Sequence, residues 1–95
     1  MITIKITHCG IHMGGHAGMN GSDGVDRVCA AVSVLTCNLI NSLKDLTGDR
    51  IRAETASGMT VIEWEDLSDG GKLLVDSWFL GIAAIDQEYN CIQFE

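Results

Sequence analysis

The sequence has no proline and few basic residues, and these shortages argue against a rigid linker and against nucleic-acid binding. Lys and Arg together number six against 13 Asp and Glu, which gives a formal net charge of −7. Because nucleic-acid binding needs clustered basic side chains that neutralise phosphates, the composition argues against direct contact with nucleic acid. A chain with 11 glycines and no proline is expected to contain several tight turns and no rigid linker.

Long apolar runs and closely paired cysteines are also missing. No run approaches the ~20 apolar residues of a membrane helix, and the start of the chain lacks the pattern of a secretion signal. We therefore expect a cytoplasmic protein that does not associate with membranes. Four cysteines are present without a CxxC pair, and free thiols are expected for Cys9, Cys29, Cys37 and Cys91. The length predicts a single domain, residues 1–95, which dimerisation would help to stabilise.

Hydrophobic periodicity predicts an α+β fold with the order β-β-α-β-β-α-β, two helices packed on a mostly antiparallel sheet. Ile2, Ile4 and Ile6 alternate with polar residues, and a second strand is expected over residues 11–16. Residues 50–65 predict a hairpin that turns at Ser57-Gly58, and residues 91–95 predict a last strand.

The two predicted helices each have a capping residue and an apolar face. Asp26 is suited to cap the first helix, and Gly48 is a plausible stop. Its apolar positions are Val28, Ala31, Val32, Leu35, Leu39 and Leu43. Ser68 or Asp69 can cap the second helix. Its expected buried residues are Leu73, Leu74, Trp78, Ile82 and Ile85.

The stretch from Gly14 to Ser33 contains the residues suited to chemistry. If the helix begins after Asp26, Cys29 is its third residue, where free N–H groups and the helix dipole favour thiolate over thiol. Asp26, Cys29 and Ser33 then share one helix face. His16 follows the predicted second strand and could reach that face, where it would serve as the base for a cysteine nucleophile.

Simpler interpretations of these residues remain open. A cysteine in an amphipathic helix is most often a small core residue, and we place Cys37 and Cys91 in that class. His8, His12 and His16 recur every four residues, but on a strand such steps separate neighbouring ligands by roughly 13 Å. That separation is too large for a shared zinc ion, so no metal site is expected.

Two motifs within this stretch resemble a known family. Gly15-His16-Ala17-Gly18, a short glycine-containing loop and then the run D-x-V-C-A-A-V-S over residues 26–33 resemble the bacterial ribosomal-processing cysteine proteases, known as Prp. The match is strong over about a fifth of the chain, and the order of predicted elements extends it more weakly over the rest. Met19 stands where an aromatic residue is common, and Arg27 replaces a usual aliphatic residue.

The resemblance implies a function and a set of site residues. Prp enzymes are cytosolic, homodimeric cysteine proteases that remove a short N-terminal extension from a large-subunit ribosomal protein, the twenty-seventh in the usual naming. They cut after an aromatic residue and need no cofactor. By this resemblance Cys29 is the nucleophile and His16 the general base, and three residues have supporting roles: Gly15, Asp26 and Ser33. The loop that admits the substrate peptide includes Ala17, Gly18, Met19, Gly21 and Gly24.

The sequence leaves two other functions open. One is a non-catalytic module of the same fold that binds the peptide without cutting it. The other is a thiol redox protein, which the missing CxxC pair disfavours.

Overall fold

The computed structural model describes residues Met1 to Glu95 and has the predicted order of elements. The strands are β1 (Ile2–Thr7), β2 (Gly10–Gly15), β3 (Ile51–Ala56), β4 (Met59–Trp64) and β5 (Ile92–Phe94), and the helices are α1 (Arg27–Leu46) and α2 (Asp69–Tyr89). One sheet contains all five strands in the order β3-β4-β2-β1-β5. Only the β1–β5 pair is parallel, so the predicted α+β fold with a mostly antiparallel sheet is confirmed.

The strand register places the apolar side chains of the sheet on one face. Ile4 of β1 lies opposite Met13 of β2, and Ile11 of β2 lies opposite Ile62 of β4. Ile4, Ile11 and Ile62 are fully buried in the core. Since side chains alternate between faces along a strand, this register follows from the alternation seen in the sequence. Ile6 is the exception, because it lies near the turn after β1 and remains exposed.

Helix α1 begins where the sequence predicts and presents a slightly different face to the core. The Asp26 carboxylate caps it by accepting a hydrogen bond from the backbone N–H of Cys29. Val28, Val32, Leu39 and Leu43 are buried as predicted, and Leu35 is partly buried. The prediction for Ala31 was wrong, since it is exposed. The helix ends at Leu46, and Thr47 rather than Gly48 is its C-cap.

Helix α2 packs on α1 through Trp78. Ser68 is its N-cap, and Trp78 and Ile82 are buried as predicted, with Leu74 and Ile85 partly buried. The prediction for Leu73 was wrong, because its side chain is 70% exposed. At 100° per residue Leu73 lies about 140° around the helix from Trp78, on the side away from the core.

The four cysteines are free thiols in different environments. Cys91 is buried, as predicted, and Cys9 is exposed. The core assignment for Cys37 was wrong, because Cys37 lies on the outer side of α1 and is exposed. Neither helix is both long and apolar enough to cross a membrane.

Candidate active site

A cleft of about 290 Å³ lies where the end of β2, the first half of α1 and the turn between β3 and β4 meet. It contains both residues that the sequence proposes for catalysis, His16 and Cys29, together with Gly15 and Ser33. The remaining lining residues are Ile2, Met13, Gly14, Val32, Ala56, Ser57, Gly58, Met59 and Thr60. With Ile2 of β1, the fold therefore brings together residues from four separate parts of the chain.

Cys29 is the third residue of α1, as predicted, and its sulfur lies at the edge of the core. Its Sγ accepts a hydrogen bond of 3.1 Å from the backbone N–H of Ala17, the residue that follows His16. Its own backbone N–H donates to the Asp26 carboxylate at 3.0 Å. The side chain is only partly exposed and contacts the hydrophobic core. Cys29 thus combines access from the cleft with a fixed backbone.

The surroundings of Cys29 oppose the lowering of its pKa that is expected at a helix terminus. Burial raises the pKa of the Cys29 thiol above its ordinary value, and the nearby Asp26 carboxylate raises it further. The Ala17 N–H lowers the same pKa, because it stabilises the thiolate, but this effect is smaller than that of burial. The sequence-based expectation of a lowered pKa was therefore wrong for the free protein, because it left out burial and the charge of the capping residue.

His16 lies directly after β2 and is exposed on the wall of the cleft. Its imidazole makes no hydrogen bond to the Cys29 sulfur, and its Nε2 edge lies against Gly58 in the β3–β4 turn. A Cβ atom built on Gly58 would come within 2.9 Å of His16 Nε2. His16 and Cys29 therefore share one cleft without being hydrogen-bonded to each other.

Gly15 fixes the backbone immediately before His16. Its φ of +92° is one that residues with a side chain rarely adopt, and a Cβ atom there would lie 2.5 Å from the Met1 carbonyl oxygen. The Gly15 N–H donates to the Gly58 carbonyl at 3.0 Å. A glycine at this position therefore allows β1, the end of β2 and the β3–β4 turn to approach closely.

Asp26 joins the helix that carries Cys29 to the loop that precedes it. One carboxylate oxygen caps α1, and the other accepts a hydrogen bond of 3.1 Å from the backbone N–H of Met19. The Cys29 N–H in particular holds the pKa of the Asp26 carboxyl below its ordinary value, so the side chain is ionised at neutral pH. Ser33 lies one helical turn beyond Cys29, exposed at the cleft.

The loop over residues 17–25 is exposed along most of its length, as predicted for Gly18, Met19, Gly21 and Gly24. Ala17 differs from the prediction, because it is buried and its N–H contacts the Cys29 sulfur. Asn20 forms an isolated β-bridge with Asp26, which closes the base of the loop. The loop is thus anchored beside Cys29 at both ends, and its mobility stays a prediction.

The sequence interpretation missed the contribution of the β3–β4 turn to the cleft. Ser57 and Gly58 were identified as a turn, but nothing in a single sequence shows that this turn lies beside His16. The only local signal is the glycine itself, whose φ is +74°. The other histidines lie elsewhere, His8 in the β1–β2 turn and His12 within β2, and no three His, Cys, Asp or Glu residues are placed to hold a metal ion.

A helix-borne cysteine, a nearby histidine and an open cleft are the features of a thiol hydrolase, and comparison with known proteins gives the same class. The sequence profile of the family described as "Cysteine protease Prp" matches residues 1–92. The chain therefore belongs to the Prp family of cysteine proteases, and it is a cysteine protease. No curated protein matches the chain.

Solved structures of similar proteins support the same assignment. The essential ribosomal processing protease Prp from S. aureus, in complex with a covalently linked product peptide, is 28% identical with a TM-score of 0.88; the match covers 100% of this chain and 98% of that one. The same protease with a substrate peptide gives 26% identity, a TM-score of 0.84 and the same coverage. SMU.848 from Streptococcus mutans is 26% identical with a TM-score of 0.79, covering 100% of this chain and 92% of that one.

Proposed function

We propose that this cysteine protease uses Cys29 as nucleophile and His16 as general base, and that it removes the N-terminal extension of a large-subunit ribosomal protein precursor in the cytoplasm. The single observation that carries the assignment is the placement of both residues in one cleft, with Cys29 at the start of α1. The relative from S. aureus is a ribosomal processing protease solved with substrate and product peptides, which supports the substrate class.

The reaction follows from the groups that line the cleft. His16 removes the proton from the Cys29 Sγ, and the thiolate attacks the carbonyl carbon of the scissile peptide bond. His16 then donates that proton to the leaving amine, which leaves a thioester between Cys29 and the N-terminal part of the substrate. A water molecule, deprotonated by His16, attacks this thioester; the bond to Sγ breaks and His16 returns the proton to the thiol.

Two features of the free protein bear on how the bound peptide completes the proposed site. His16 lies against Gly58 without a hydrogen bond to the sulfur, so the bound peptide has to bring Cys29 Sγ and the imidazole held over Gly58 into hydrogen-bond contact. Such catalytic contacts often form fully only in the substrate complex. The Ala17 N–H, 3.1 Å from the sulfur, is a donor close to where negative charge develops on the substrate oxygen. We assign it to stabilising that oxygen once the peptide is bound.

The cleft suits an extended peptide better than a small charged ligand. His16 is its only ionisable side chain apart from the Cys29 thiol, and six of its 13 lining residues are hydrophobic. The acidic protein as a whole, with a net charge of −7, would attract a basic ribosomal protein through long-range electrostatics. Specificity for the cut would then come from the apolar lining, and recruitment from the overall charge.

We also propose that the protein forms a homodimer through the outer faces of its helices. Val34 of α1 is 68% exposed, and Leu73 and Leu80 of α2 are each 70% exposed. Leu73 and Leu80 are two turns apart and therefore share one side of α2. Light scattering should report twice the monomer mass for the wild type and the monomer mass for Leu80→Glu. A wild-type monomer at micromolar concentration would contradict this proposal.

The direct test is cleavage of the ribosomal protein precursor, followed by intact-mass spectrometry. We expect one cut that removes the extension, and no cut with Cys29→Ala or His16→Ala. Cys37→Ala is the matched control, because Cys37 is an exposed thiol on the same helix and should be dispensable. Full cleavage by Cys29→Ala would overturn the catalytic assignment. Binding without a cut by the wild type would favour a non-catalytic binding module, and neither binding nor cleavage would overturn the choice of substrate.

A further inference from the structure

We propose that Gly58 is a positioning residue for His16, and that the absence of a side chain in the β3–β4 turn provides the space in which the imidazole lies. This inference rests on the proposed role of His16 as general base. It assigns a function to the β3–β4 turn, which contains neither His16 nor Cys29. Gly58 lies about 40 positions after His16 in the sequence.

The contact between the two residues is close and specific. A Cβ atom on Gly58 would lie 2.9 Å from His16 Nε2, 3.3 Å from Cε1 and 3.7 Å from Cδ2. Real Cβ atoms essentially never approach another heavy atom within 3.0 Å. The imidazole edge that carries Nε2 therefore occupies the volume that any other residue at position 58 would fill.

The backbone around Gly58 also holds the strand end that carries His16. The Gly58 carbonyl accepts a hydrogen bond of 3.0 Å from the Gly15 N–H, and Met59 pairs with Gly14 in the sheet. The β3–β4 turn therefore cannot shift away from His16 without breaking the β2–β4 ladder. Because the backbone on both sides is fixed, an added methyl group has to be accommodated by movement of the imidazole.

Because of this geometry, a side chain added at position 58 should lower activity more than it lowers stability. The atom that an added Cβ would meet belongs to a side chain at the surface, which can rotate away at little cost in folding free energy. The φ of +74° adds strain for residues other than glycine. Gly24 has a similar φ of +78° with no atom within 4 Å of a Cβ, so Gly24→Ala measures that strain alone.

The test compares Gly58→Ala with the wild type in peptide cleavage and in alkylation of Cys29. We expect kcat to fall at least about tenfold with KM nearly unchanged, a part of the roughly 100- to 10,000-fold that general acid–base catalysis supplies. The pH dependence of Cys29 alkylation by a substrate peptide that carries an electrophile at the scissile bond should come to match that of His16→Ala, because the peptide is needed to bring the two side chains together. Gly58→Asn keeps the Cβ while tolerating positive φ, so it should lose activity at a Tm close to that of the wild type.

A double variant decides whether His16 transmits the effect. In the His16→Ala background, Gly58→Ala should lower Tm by no more than Gly24→Ala does, and it should leave the alkylation rate of Cys29 unchanged within about twofold. A wild-type kcat in Gly58→Ala or Gly58→Asn would overturn the inference. So would a loss of Cys29 alkylation on adding Gly58→Ala to His16→Ala that equals the loss in the wild-type background. If His16→Ala loses cleavage while Gly58→Ala keeps full cleavage, only the proposed role of Gly58 is overturned. If His16→Ala keeps full cleavage, the role of His16 as general base is overturned as well.

Discussion

A buried hydrogen bond between Trp78 and Thr36 joins the two helices, and removing its acceptor oxygen should lower the stability of the fold. Trp78 Nε1 donates to Thr36 Oγ1 at 3.1 Å, and the same hydroxyl donates to the Val32 carbonyl at 2.7 Å. Thr36 is 2% exposed and Trp78 is 4% exposed, so no water can replace either partner. This contact fixes α1, the helix that carries Cys29, against α2.

Replacing Thr36 by Val keeps the shape of the side chain and removes the acceptor. The Trp78 N–H is then buried without a partner, which costs about 1–3 kcal/mol. The added methyl group returns up to about 0.8 kcal/mol of burial, which leaves a net loss of roughly 1–2 kcal/mol. For a domain of this size, 1 kcal/mol corresponds to about 4–8 °C in Tm, so we expect a Tm about 5–15 °C lower.

The assay is thermal unfolding followed by circular dichroism, with a double-mutant cycle as control. In the Trp78→Phe background the donor is already absent, so Thr36→Val should be neutral or stabilising there. Cleavage activity well below Tm should be close to that of the wild type, because neither residue lines the cleft. Equal destabilisation by Thr36→Val in both backgrounds would refute the reasoning, since the loss could not then come from the indole N–H.

Three further predictions concern titratable groups. Asp26→Asn keeps the capping oxygen and removes the charge that raises the pKa of Cys29, so Cys29 should alkylate at lower pH; an unchanged pH profile would contradict this. In the folded wild type, exposed Cys37 should alkylate rapidly and buried Cys91 slowly, and equal rates by peptide mapping would argue against the burial of Cys91. Hydrogen bonds from the start of α2 lower the pKa of Asp49, so its stabilising contribution is present above pH 3.8 and lost below it. The Tm difference between wild type and Asp49→Asn should shrink as the pH falls below 3.8. A difference that does not change with pH would contradict a stabilising contribution from ionised Asp49.

The arrangement of elements was predictable because its signals are local. Alternation in β1, the capping chemistry of Asp26 and the turn at Ser57-Gly58 each depend on residues near in sequence, and each is present in the structure. The helix faces were less predictable, as Leu73 shows. An apolar residue at helical spacing is consistent with burial, but only the packing partner decides which side of the helix is covered.

The composition of the cleft was predictable in part. His16 and Cys29 lie close in sequence, so a strand end and a helix start were enough to place them together. The β3–β4 turn joins them only through the pairing of β2 with β4, which is a non-local property. The pKa of Cys29 was predicted with the wrong sign for a similar reason, because burial depends on the whole core and not on the position of a residue in its helix.

The most direct test of the central claim is covalent labelling by a peptide that ends at the cleavage site with an electrophilic group in place of the scissile bond. We predict one adduct per chain, located on Cys29 by fragmentation mass spectrometry, absent in Cys29→Ala and formed more slowly in His16→Ala. An adduct on Cys9 or Cys37, or undiminished labelling of Cys29→Ala, would contradict the assignment of Cys29 as the nucleophile.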